Sequence, residues 1–208
     1  EKYLFNCEVD LSDLNTLRNL SEVEYIKLIK DTFKDAINSL TIQDIGDTEI
    51  KNYIKISEAR PFIVSDSKPI FTPKKSVFNK IVGDSDFELA FSDFIENCDD
   101  VISFAKNFQN KEASALRIEY KNSEGFIATY YPDFFVKKDD KTVYIIETKG
   151  REEEDDKLKF ERLQKWCEDV NNRQSRMIYK ALYIKQEEWE KDRLKNFDEV
   201  ISIFYVNS

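Results

Sequence analysis

The chain of 208 residues is 41% hydrophobic and 35% charged, carries a net charge of −9 and contains no histidine. This is enough apolar material for one large domain, or a domain with an appended segment, and no apolar run approaches the roughly 20 residues of a membrane span. The missing histidine excludes Ser-His-Asp triads, Cys-His pairs and His-containing zinc sites, so any catalysis rests on carboxylates, Lys, Tyr, Ser or Cys.

Cys7, Cys98 and Cys167 are odd in number and far apart, neither a disulfide framework nor a zinc pattern, so reduced thiols in a cytoplasm are expected. Glu1-Lys2-Tyr3-Leu4 has no basic region followed by an apolar stretch and no initiator Met. It reads as the interior of a longer chain without a signal peptide. The acidic balance falls mostly after residue 80 and runs against nucleic-acid binding by this chain alone, because phosphate neutralisation needs cations.

In chain order, Tyr25, Ile26, Ile29, Phe33, Ala36, Ile37 and Leu40 recur at helical spacing and predict a helix over residues 22–40. Residues 50–56 alternate like a short strand. Pro61, Pro69 and Pro73 mark an extended connection over residues 59–75. The reading divides the chain into a helical and extended segment, 1–79, and a domain, 80–208. Ser85 and Glu88 form a capping box that opens a helix carrying Phe87, Phe91, Phe94 and Ile95 on one face. A second helical stretch is expected over residues 100–108. Strands are expected over 116–120, 126–136 and 142–149, a helix from about 155 to 171, a strand over 177–184, a helix over 187–194 and a final strand over 200–206. Tight turns make the first strands antiparallel, and the crossover helix makes its flanking strands parallel. The expectation is an α/β fold with a mixed sheet flanked by helices and a helical N-terminal extension.

The chemistry concentrates in Tyr131-Pro132-Asp133 and Glu147-Thr148-Lys149. The turn between the strands that carry them centres near Asp139-Asp140. Paired residues then sum to about 280, which sets Asp133 opposite or diagonal to Glu147. Glu147 and Lys149 share a face while Thr148 points away. Two carboxylates this close resist joint ionisation unless a cation joins them. Mg²⁺ takes one or two carboxylates, keeps several waters and lowers the pKa of a bound water, so it suits these residues. Lys149 would orient that water or stabilise charge on a transferring phosphoryl group. An ordinary turn Asp and a surface Glu-Lys pair are the competing reading. The apolar runs Phe134-Phe135-Val136 and Tyr144-Ile145-Ile146 weigh against it, since charges at the ends of buried strands need a reason.

Pro132-Asp133 followed by Glu147-Thr148-Lys149 resembles the signature of the PD-(D/E)xK nuclease superfamily. Further stretches are similar to the C-terminal nuclease domain of type III restriction enzyme Res subunits. They are residues 78–88, Ser103-Phe104-Ala105-Lys106-Asn107, Tyr130-Tyr131-Pro132-Asp133-Phe134, residues 147–152 and residues 165–171. The likeness spans about residues 60 to 205. It implies an αβββαβ restriction-endonuclease-like core and Mg²⁺-dependent hydrolysis of DNA phosphodiester bonds, with Mn²⁺ as a substitute. It implies an upstream helicase-like ATPase and a methyltransferase or specificity subunit as partners. ATP would act only through that upstream domain, because this chain has no GxxxxGK[ST] loop.

The resemblance also implies metal-binding roles for Glu88, which equally completes the capping box, and for the backbone carbonyl of Thr148. Arg151, Lys106, Lys121 and Lys157 are the candidates for phosphate contacts. Gln164, Lys165 and the acidic run Glu152 to Asp156 read as helix surface and helix start. The alternatives are a repair or recombination nuclease with the same core, or an inactive nuclease-like fold that binds DNA or protein.

Overall fold

A computed structural model describes residues 10–43, 53, 55–56, 63, 68–108, 115–191 and 193–205. The chain separates into two compact units, residues 1–48 with 124–127, and residues 49–123 with 128–208. In the first, Asp13 caps α1 (Leu14–Leu20) by accepting from the N–H groups of Asn15 and Thr16, and α2 spans Val23–Gln43. The helix expected over 22–40 is therefore present. The strand expected over 50–56 lies largely outside the described residues.

The second unit opens with the short antiparallel pair β1 (Ile70–Phe71) and β2 (Ile81–Val82). Helix α3 (Asp86–Asn97) follows. Ser85 caps it, its hydroxyl accepting from Glu88 N at 3.2 Å, while the Glu88 carboxylate accepts from Asp84 N at 3.1 Å. Then come β3 (Ser103–Lys106), β4 (Ile118–Lys121), β5 (Ile127–Tyr130), β6 (Phe134–Lys137), β7 (Thr142–Lys149), α4 (Asp156–Arg173), β8 (Ile178–Lys185), α5 (Gln186–Lys191) and α6 (Phe197–Phe204). The main sheet has the order β3-β6-β7-β8, and β4 pairs with β5 in a separate two-stranded sheet. β6 is antiparallel to both its neighbours, β3 and β7, and β7 and β8 are parallel across the α4 crossover. The architecture is thus mixed α/β with a mixed sheet flanked by helices.

Three expectations change. Residues 100–108 hold a strand, not a helix. Phe104, Ala105 and Lys106 are buried in succession, and a strand covered on both faces loses the alternation that distinguishes it from a helix. The expected strand 126–136 is two strands in different sheets, interrupted at Tyr131-Pro132-Asp133, where proline cannot donate to a ladder. Residues 200–206 begin in a helix despite their β-branched composition. Asn196 caps α6 by accepting from Glu199 N at 2.9 Å. Asp100 adds a second acceptor for the N–H groups of Phe197 and Asp198, at 3.0 and 2.9 Å. Phe197, Val200 and Phe204 then bury one helical face, so tertiary packing overrides the strand preference.

The sheet separates two apolar clusters. Phe134, Val136, Tyr144, Ile146, Leu182 and Ile184 face α3 and α6, where they meet Phe87, Phe91, Ile95, Phe197 and Val200. Ile145 and Ala181, with Phe135 packed beside them, face Leu163 and Cys167 of α4 and Tyr120 and Tyr130 of the β4–β5 pair. Gly125, at φ 81°, allows the left-handed turn before β5.

Candidate active site

The site begins with a turn. Asp139 Oδ1 accepts from the N–H groups of Lys141 and Thr142, both at 2.8 Å, which closes the β6–β7 hairpin tightly. Phe134 therefore pairs with Ile146 and Phe135 with Ile145, the register that the turn position implied. One residue before the paired register, the Asp133 N–H also donates to Ile146 O at 2.8 Å, which brings Asp133 beside Glu147. Alternation places Glu147 and Lys149 on the α4 side of the sheet and Thr148 on the α3 side.

Asn107 fixes the Pro132-Asp133 turn from beneath. Its N–H donates to Asp133 O at 2.7 Å and its side-chain amide donates to Pro132 O and Leu116 O, both at 2.8 Å. Its Oδ1 accepts from Leu116 N at 2.9 Å. With the residue buried, each of these groups would be costly to strand. Asn107→Ala is expected to lower stability by about 2–3 kcal/mol, read as a lower urea midpoint at unchanged slope, and to loosen Asp133.

Asp133 Oδ2 accepts from both Thr148 N, at 2.8 Å, and Thr148 Oγ1, at 2.7 Å. Thr148 points away from Glu147 as expected, yet its hydroxyl still reaches Asp133, because Asp133 lies beyond the end of β6. Burial, then the nearby charge of Glu88, pushes the Asp133 carboxyl up to about 6 against the Thr148 hydrogen bonds and the Lys106 ammonium. Glu147 is 8% exposed, and its Oε2 makes no hydrogen bond among the described residues. Burial and then the charge of Asp133 push Glu147 up to about 9, opposed by Lys149 and Lys159. The Tyr130 hydroxyl, buried and without a hydrogen bond of normal geometry among the described residues, is raised well above its ordinary value by burial and by both carboxylates.

Lys149 Nζ stands 3.9 Å from Glu147 Oε1, 3.7 Å from Glu153 Oε2 and 3.1 Å from Asp156 Oδ1. Glu88 approaches from the other side of the sheet. Its carboxylate pairs with Lys106 Nζ, which also contacts Asp84 Oδ2 at 2.8 Å and Val82 O at 3.1 Å. Asp133 thus sits between Glu88 and Glu147. The structure gathers Asp133, Glu147, Lys149, Glu88 and Thr148 at one end of the sheet.

The phosphate-contact candidates separate. Arg151, Lys121 and Lys157 are exposed, whereas Lys106 is 3% exposed and occupied by its carboxylate partners. Asp156 and Lys159 belong to the neighbourhood but carried no role in the sequence reading. Asp156 lies on the same buried face of α4 as Leu163 and Cys167, seven and eleven residues on, so a charge on an apolar stripe was the available signal.

Among the described residues no three acids are grouped as a ready metal cage. Two buried carboxylates with raised pKa values and one oxygen lacking a donor still suit a hard divalent cation, which needs only one or two such ligands. No helix among the described residues is long and apolar enough to cross a membrane. No family model, curated protein or solved structure matches the chain.

Proposed function

We propose that this chain is a Mg²⁺-dependent endonuclease domain of the PD-(D/E)xK type that hydrolyses DNA phosphodiester bonds as the cleavage module of a type III restriction enzyme Res subunit. One observation carries the reading. Two buried carboxylates lie together where β6 and β7 meet at their ends, Asp133 just before β6 and Glu147 within β7; burial pushes both above the ordinary carboxylate range, and an ammonium stands 3.9 Å from Glu147. Such a pair is unfavourable on its own and becomes favourable around a cation. The order α3-β3-β6-β7-α4-β8 supports the reading, since it follows the αβββαβ sequence of that superfamily with the β4–β5 pair inserted after the first strand.

Asp133 and Glu147 would hold Mg²⁺, or Mn²⁺ in its place, with the Thr148 carbonyl as the neighbouring backbone donor and Glu88 able to reach a bound water. The ion, when bound, supplies an activated water and charge stabilisation at phosphorus. Lys149 contributes a fixed positive charge beside Glu147 for the phosphoryl oxygens. Thr148 and Asn107 hold Asp133 in place. Arg151 and Lys121 are the exposed cations available to DNA phosphates. The acidic balance of the chain fits a module whose DNA grip comes chiefly from an upstream helicase-like ATPase and a methyltransferase or specificity subunit, working in a cytoplasm.

The test is cleavage of plasmid DNA with Mg²⁺ and with EDTA. Cutting by the wild type with Mg²⁺ only, and a loss of about a hundredfold or more in Asp133→Ala and in Lys149→Ala, is the expected result. Wild-type rates in both variants would overturn the assignment.

A further inference from the structure

Lys149 is shared unequally among its carboxylate neighbours, and the nearest is not the one in the motif. Asp156 Oδ1 stands 3.1 Å from the ammonium and Glu147 Oε1 3.9 Å. Asp156 is well anchored. It is 4% exposed, opens α4, and accepts the Glu153 N–H on Oδ2 at 2.7 Å, which leaves Oδ1 for Lys149 and for Lys159 at 3.0 Å. Glu153, the third neighbour, has a side chain 66% exposed, so its pull is screened by water. Meanwhile Glu147 Oε2 is buried and has no hydrogen bond of normal geometry among the described residues. An ammonium drawn onto Glu147 would neutralise the carboxylate that a cation requires, and the two would compete.

We propose that Asp156 is a positioning residue that holds the Lys149 ammonium off Glu147 and so leaves the Glu147 carboxylate for a divalent cation; this rests on the endonuclease reading. Asp156 touches neither DNA nor metal and acts only through Lys149. With its charge removed, the strongest partner left to the ammonium is Glu147, the other buried carboxylate. Lys159, tied to the same Oδ1, keeps a second positive charge on that side.

The experiment is calorimetric titration of the 208-residue protein with Mn²⁺, which reads binding without cleavage. Asp156→Asn keeps an acceptor for the Glu153 N–H and is expected to weaken Mn²⁺ binding about tenfold, because an ammonium now shares Glu147. Asp156→Glu is expected to restore most of the affinity. On a Lys149→Met background, Asp156→Asn is expected to change the affinity less than about twofold, since no ammonium remains to compete. Equal weakening on both backgrounds would make Asp156 a purely structural residue and overturn the proposal. Marked tightening in Lys149→Met would also overturn it, because the ammonium would already be competing in the wild type. A wild type that binds no Mn²⁺ would overturn the endonuclease reading and this inference with it, whereas wild-type binding with an unchanged Asp156→Asn would overturn the inference alone.

Discussion

Replacing Glu147 with Gln is expected to stabilise the cation-free protein at pH 8 while removing cleavage. Glu147 is raised from 4.5 to about 9, first by burial and then by Asp133. At pH 8 the folded chain therefore keeps a proton that the unfolded chain releases. Wherever the folded state binds more protons, stability falls as pH rises. For Glu147 that window runs from about 4.5 to about 9, and Asp133 adds its part between 3.8 and about 6. Without divalent ions, the melting temperature should drop across pH 5–9, most steeply below 6, where both groups contribute. The carboxylates of Asp84, Asp100 and Asp156 act in another window. Burial raises each, but their lysine and N–H partners outweigh it and hold them below 3.8, so the stability they give is lost only under acid.

Gln keeps the shape of Glu147 and cannot ionise. Glu147→Gln should flatten the pH dependence above 6 and raise stability at pH 8 by on the order of 2 kcal/mol in urea unfolding with EDTA. Mg²⁺ should reverse the order, stabilising the wild type by mass action and leaving the variant unmoved. Cleavage in the variant should fall by about a hundredfold or more. A wild type whose stability is level from pH 5 to 9 would show that the two acids are not held protonated in this way.

The parts of this site that could be read from the sequence are those governed by short-range geometry. A turn at Asp139-Asp140 and strict alternation along two strands suffice to set Asp133 opposite or diagonal to Glu147, with Lys149 on the Glu147 face, and the register obeys the turn position as far as Phe134 and Ile146. The capping box at Ser85 and the parallel pairing across α4 follow from equally local chemistry. Elements whose identity depends on what covers them were not legible in this way. Residues 103–106 are a strand because they pair with β6 and Phe104 joins the apolar cluster under α3, and nothing in Phe104-Ala105-Lys106 alone separates that from a helix turn. The 197–204 helix depends on Asp100, some 97 residues away, for part of its cap. The roles of Asn107, read only as part of a similar stretch, and of Asp156, read only as part of a helix start, were missed for the same reason. Their roles lie in bonds to Pro132, Leu116 and Lys149, and no spacing rule points to those partners.

Lys106 marks the limit of reading charge as surface, and Lys106→Met is expected to damage folding rather than DNA binding. The sequence reading offered Lys106 as a candidate phosphate contact, yet this ammonium is 3% exposed among Val82 O, Asp84 and Glu88. Burial pulls its pKa down, but the hydrogen bonds and charges of Asp84 and Glu88 outweigh that and raise it. Removing one member of a buried pair leaves the other uncompensated, which costs about 3–5 kcal/mol. The stranded group is Glu88, whose side chain is 12% exposed; Asp84, at 63%, remains solvated. Asp133 would also be deprived of a cation that now favours its ionised form, so its proton would be held more tightly still. Lys106→Met should therefore be strongly destabilised at pH 8 in urea unfolding. Lys106→Met/Glu88→Gln should recover part of the loss, since the stranded charge is gone. Arg151→Ala and Lys121→Ala should do the opposite, leaving stability within about 0.5 kcal/mol and reducing the salt dependence of DNA affinity by about one unit of slope for each phosphate that is no longer neutralised. A Lys106→Met protein of wild-type stability with a weakened salt dependence would return Lys106 to the DNA-facing surface and take Glu88 out of the site, because the ion pair that holds Glu88 beside Asp133 would then be dispensable.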